Sequence, residues 1–131
     1  WSDYEKEIIK TMTLIHGGSI VILLTLSGNW LNSNGANGVM LAKAAVKYLH
    51  LFLWGLSSII ICAALGYINA LTWFVNFRNF DNGTPESWVA AAARTISKWL
   101  GSVFGLASIA LFLTGSYLTS HSMASLIEAL K

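Results

Sequence analysis

Charge, cysteine and proline are all scarce in this chain. Of 131 residues only 14 are charged, eight Lys or Arg and six Asp or Glu, for a net charge of +2. A water-soluble surface on a domain of this size needs far more polar groups, and the basic residues are too few and scattered for a nucleic-acid footprint. The lone cysteine, Cys62, has no partner in the chain, so it supports no internal disulfide framework and does not report the redox compartment. Proline occurs once, at Pro85, which leaves the rest of the chain free of its helix-breaking ring.

What is abundant is apolar: 55% of residues are hydrophobic and mean hydropathy is +0.60. Three runs, Thr11 to Trp30, Leu51 to Phe74 and Trp99 to Leu118, contain no Asp, Glu, Lys or Arg. Each is about 20 residues or a little longer, which at about 1.5 Å per residue matches a hydrocarbon core of about 30 Å. Such a core offers the backbone no water, so only a helix satisfies these runs there. The expected fold is all-α: an integral membrane protein with three transmembrane helices and extramembrane helical extensions, forming one membrane domain over residues 1–131. The first run is too long for the core of a signal peptide, and no small-residue cleavage site follows it.

Local signals refine the helices. Ser2 and Glu5 have the form of a capping box, which starts the first helix near Asp3 with charged opening turns in water. Asn32 to Gly38 reads as a loop. From Val39 a single long helix is expected to run to Asn79, with Lys43 and Lys47 on one face of its extramembrane start. Thr84-Pro85-Glu86 supplies a capping hydroxyl, a proline at the first helical position and an acid in the first turn, so the third helix is expected from Pro85 to about Ser120. The tail His121 to Lys131 is expected as a separate short amphipathic helix. With the N-terminus inside, the cytoplasmic side carries Lys6, Lys10, Arg78, Arg94 and Lys98 against Lys43, Lys47 and Lys131 outside, which favours a cytoplasmic N-terminus.

Small residues recur along the spans: Gly17 and Gly18 in the first, Gly55, Ser58, Cys62 and Gly66 in the second, and Gly101, Gly105 and Gly115 in the third. In lipid, close backbone approach at such positions replaces the hydrophobic drive between helices. Three helices enclose little on their own, so these stripes are read as helix-packing sites within the chain and between copies in a homo-oligomer.

Two polar residues stand inside the spans. An imidazole within a bilayer demands hydrogen bonds, which makes His16, before Gly17-Gly18, a candidate for a pore lining or polar core; Asn69 on the second span is the other. For each, bonding to a neighbouring helix is the plainer structural role. No carboxylate lies in a span, against a proton relay or cation site, and no serine has a base and an acid around it for nucleophilic catalysis. The Gly-Gly pair follows no strand and precedes no Lys-Ser/Thr, so it is not a phosphate loop. No enzymatic activity, cofactor or metal is therefore expected. Axial haem ligation needs two histidines at one depth: His16 falls near the N-terminal face and His50 and His121 near the opposite one, so His16 pairs with neither, while His50 and His121 could meet near the outer interface, where histidines are usually just hydrated. The chain shares size and span count with the triple-span haem anchors of succinate dehydrogenases but lacks their His-Ser-Arg neighbourhoods.

Leu14-Ile15-His16-Gly17-Gly18-Ser19-Ile20-Val21-Ile22-Leu23-Leu24-Thr25, with Trp54-Gly55 and Leu111-Phe112-Leu113-Thr114-Gly115-Ser116, resembles a group of small bacterial three-span inner-membrane proteins with no assigned activity. Their first span typically carries Asn-Gly-Gly, where this chain has His16 in place of the Asn. The resemblance implies a multi-pass protein of a prokaryotic inner membrane. The resulting functional expectation is a non-enzymatic, self-assembling component in contact with membrane lipid. It would be a pore-forming or membrane-perturbing effector, of the antiphage-defence or holin kind, coupled to a soluble cytoplasmic partner. The alternatives are a structural or anchoring subunit of a larger membrane complex and, further off, a haem-binding redox anchor.

Overall fold

The computed structural model describes residues 2–33 and 35–131. They form four helices and, among the described residues, no strand: α1 (Asp3–Ser33), α2 (Gly35–Val46), α3 (Leu49–Asp81) and α4 (Trp88–Ala129). Three stretches, Asp3–Asn32, Gly35–Asp81 and Trp88–Ala129, are long and apolar enough to cross a membrane. The fold is all-α, as expected, and many of its large apolar side chains face outward, the surface that membrane-crossing helices would present to lipid.

α1 starts as its sequence dictates. The Ser2 backbone N–H donates to the Glu5 carboxylate at 3.0 Å and the Glu5 N–H donates to the Ser2 hydroxyl at 3.3 Å, closing the capping box. Its 31 residues span about 46 Å, well beyond a bilayer core. The loop expected over Asn32 to Gly38 is largely helical instead, with α1 continuing through Ser33 and α2 starting at Gly35; Asn34 lies outside the described residues. Gly35 has φ +56°, the left-handed backbone that a side chain resists, and the chain reverses here.

The single helix expected from Val39 to Asn79 is two. It is interrupted at Lys47 and Tyr48, where the Tyr48 backbone (φ −105°, ψ 14°) leaves the helical region and its carbonyl accepts from the Leu51 N–H at 3.0 Å. Neither residue is a local breaker. The interruption follows from packing: α2 lays its buried small stripe, Gly38, Ala42 and Ala45, chiefly along α1, whereas α3 lies chiefly along α4. Two segments with different neighbours take different directions.

α3 ends at Asp81, with Gly83 at φ +70° and the Thr84 hydroxyl and N–H both donating to the Asn79 carbonyl at 2.8 and 2.9 Å. Thr84 thus closes α3 rather than opening the next helix, which corrects the expected start at Pro85. The cap of α4 is Ser87, whose hydroxyl accepts from the Ala90 N–H at 3.2 Å. Glu86 and Arg94 pair at 2.9 Å across this entry. α4 then runs 42 residues without a break, so the separate tail helix expected after Ser120 is instead its final turns. The only proline stands outside all four helices, which is why α4 can be so long.

Candidate functional site

Where α1, α3 and α4 meet, the chain buries a histidine completely. His16 projects from mid-α1 onto the bare backbone of Gly55 on α3; a β-carbon there would stand 2.7 Å from both ring nitrogens. His16 Nε2 lies 3.1 Å from the Ser108 carbonyl and 2.9 Å from the Ser108 hydroxyl, on α4. A carbonyl only accepts, so Nε2 carries the proton and donates. Nδ1 is left buried with no partner among the described residues. Phe52 and Phe112 meet the imidazole edge-on at 6.3 and 5.6 Å and each other at 6.0 Å, which shuts the junction to solvent. Each edge-to-face pair contributes about 0.5–1.5 kcal/mol, whereas an interhelical hydrogen bond in a membrane averages about 0.6 kcal/mol. Ring packing therefore outweighs the polar link.

The structure sets His16 level with Ser108, midway along Trp99–Leu118, although it is only the sixth residue of Thr11–Trp30. His50, the residue from which depth was to separate it, sits on α3 only five residues from Gly55, about 7.5 Å along the axis. His50 is exposed, and the exposed His121 stacks on Tyr117 with ring centroids 6.0 Å apart. His16 itself is a packed core residue with its Nε2 committed to Ser108.

The other packing positions divide sharply. On α3, Gly55, Ser58 and Gly66 are buried and Cys62 is half-buried. A β-carbon at Gly115 would come within 3.1 Å of the Phe52 ring, one at Gly105 within 3.7 Å of Cys62 Sγ, and one at Gly101 within 3.9 Å of Leu65. Gly101, Gly105 and Gly115 serve the α3–α4 contact within the chain, while Gly55 serves the contact of α3 with α1. At Gly17 and Gly18, and at Gly28 on the same helix, a β-carbon would meet no atom of the described residues within 4 Å. Among the described residues, no other helix packs closely on Gly17 or Gly18.

Asn69 makes no interhelical bond through its side-chain oxygen: Oδ1 is buried without a partner among the described residues, while the Asn69 carbonyl accepts from the Thr72 hydroxyl at 2.8 Å. It borders a cavity of about 390 Å³ between α1, α3 and α4, walled by Ile9, Ile59, Leu106 and Ile109 and floored by Gly66, Gly101 and Gly105. A second cavity of about 600 Å³ adjoins it, sharing Glu5, Asn69, Lys98 and Ser102 and adding Ser2, Arg94, Thr95 and Trp99. Sequence reading missed this site because Glu5 and Lys98 looked like ordinary solvated charges flanking two separate spans. The arrangement offers binding surface and no nucleophile activated by a base.

Fold and sites together define an all-α chain with three membrane-length helices, a dry polar junction and one amphipathic groove. No protein family, curated protein or solved structure matches the chain. The likeness to small bacterial three-span proteins therefore rests on the motifs that suggested it.

Proposed function

We propose that the protein is a non-enzymatic component of a bacterial inner membrane that self-assembles through α1, and that assembly perturbs or opens the bilayer. The observation that carries this reading is the open glycine face of α1. Gly17, Gly18 and Gly28 have no covering atoms within 4 Å of an added β-carbon, although comparable glycines on α3 and α4 are used internally. A small-residue face left bare in lipid is the surface on which a second helix gains most by close approach. His16 is closed off by Phe52 and Phe112, so a conduit would form between copies, along α1, rather than through one protomer. With the N-terminus on the cytoplasmic side, the first turns of α1 and the α3–α4 connection would face a soluble partner, as in an antiphage-defence or holin-like effector.

The test is oligomer mass in lipid nanodiscs together with dye release from liposomes. Wild-type protein is expected to form a defined oligomer and release dye, and Gly18→Leu to reduce both strongly while leaving the protomer's melting temperature within about 2 °C. A wild-type monomer that leaks nothing refutes the reading.

One observation favours a second reading, an anchoring subunit of a larger complex. The final turns of α3 expose Trp73, Phe74, Phe77 and Phe80, with Trp88 exposed near them in sequence at the start of α4. Unlike chains recovered in fixed ratio with the protein from native membranes would select it.

A further inference from the structure

Two opposite charges face one cavity without pairing. Glu5 on α1 and Lys98 on α4 line both the 390 Å³ groove and the adjoining 600 Å³ vestibule, yet neither takes part in an ion pair among the described residues. Three other acid–base pairs at this end are matched, Asp3 with Lys6, Glu7 with Lys10 and Glu86 with Arg94, whereas Arg78 and Asp81, at the end of α3, line neither chamber. Glu5 gives one carboxylate oxygen to the Ser2 N–H, which leaves the other free. The groove beyond them is mainly apolar, with the buried Asn69 Oδ1 at the junction of the two chambers. Depth matches as well. Counted from the His16–Ser108 contact, Glu5 lies eleven residues and Lys98 ten residues back along their helices, about 16 and 15 Å, so the two charges stand at one level, and Lys98 immediately precedes the third apolar run, where a headgroup layer would begin.

We infer that this is a binding site for a zwitterionic phospholipid. One acyl chain lies in the groove between α1, α3 and α4, the headgroup ammonium pairs with Glu5, and the phosphodiester pairs with Lys98. The volumes of both chambers fall in the range of about 300–1,000 Å³ typical of ligand sites. A purely anionic headgroup would satisfy Lys98 and be repelled by Glu5, whereas a zwitterion satisfies both. Trp99, on the vestibule wall, has the amphipathic ring suited to that depth.

The experiment is native mass spectrometry of the full chain. It is titrated with dioleoyl phosphatidylethanolamine, dioleoyl phosphatidylglycerol and the deacylated headgroup glycerophosphoethanolamine. One phosphatidylethanolamine per protomer is expected, held about fivefold more tightly than phosphatidylglycerol, with no retention of the deacylated headgroup. Glu5→Gln keeps the capping box, which accepts Gln, and is expected to abolish the preference between the two lipids. Lys98→Gln is expected to weaken both. Equal wild-type affinity for the two lipids, an unchanged preference in Glu5→Gln, or equal binding of the deacylated headgroup would each overturn the assignment. Because the readout is per-protomer binding, it stands or falls independently of oligomer formation and leakage.

Discussion

α1 and the α3–α4 pair use the same residue type in opposite ways. Along α3 and α4, glycine is consumed: Gly55 receives the His16 ring, Gly115 receives Phe52, and Gly105 lies against Cys62. Along α1, Gly17, Gly18 and Gly28 receive nothing from the described residues. α1 meets the pair along α3 far more than along α4, and His16 is its one completely buried side chain. A small residue in a membrane helix thus marks a possible close approach without saying whether the partner belongs to the same chain. Only the packed protomer separates glycines already spent from glycines still open.

This contrast can be broken most forcefully at Gly55. A leucine there must displace the imidazole from a fully packed junction. Gly55→Leu is expected to destabilise the protomer by about 3 kcal/mol, the upper end for overpacking, with α1 detaching from α3. Unfolding of the protein in mixed micelles measures this against the near-neutral protomer stability expected for Gly18→Leu. Similar losses at the two sites would erase the distinction between closed and open glycines. His16→Ala comes next: removing the ring forfeits the packing against Phe52 and Phe112 along with the bond to Ser108, at an expected cost of about 2 kcal/mol. Ser108→Ala sharpens the account rather than breaking it, since His16 Nε2 keeps the backbone carbonyl as acceptor. Its expected cost is about 0.6 kcal/mol, and a loss as large as that of His16→Ala would mean the hydroxyl bond dominates the junction.

Much of this architecture is readable from local chemistry. The three apolar runs locate the membrane-length helices, and Ser2 with Glu5 marks the start of α1 because a capping box is a four-residue signal. Signals that compete locally are harder. Thr84 and Ser87 are both plausible caps; Thr84 is drawn back to the Asn79 carbonyl, and Ser87 is left to start α4. The interruption at Lys47–Tyr48 has no local signature at all, since it arises where α2 and α3 choose different neighbours. His16 stands out in the sequence as an intramembrane imidazole, but its partner lies 92 residues away and no periodicity links the two. Asn69 likewise announces itself as polar within a span, while its place beside Glu5 and Lys98 emerges only when three helices converge.

The unbroken length of α4 has one more outcome. From Leu118, the end of the third apolar run, to Ala129 the helix continues for eleven residues, about 16 Å. That reach is about twice the Debye length at physiological ionic strength, roughly 8 Å. Glu128, in the last turn of that helix, is thereby carried almost two Debye lengths past the last residue of the apolar run on a stiff rod rather than on a slack tether.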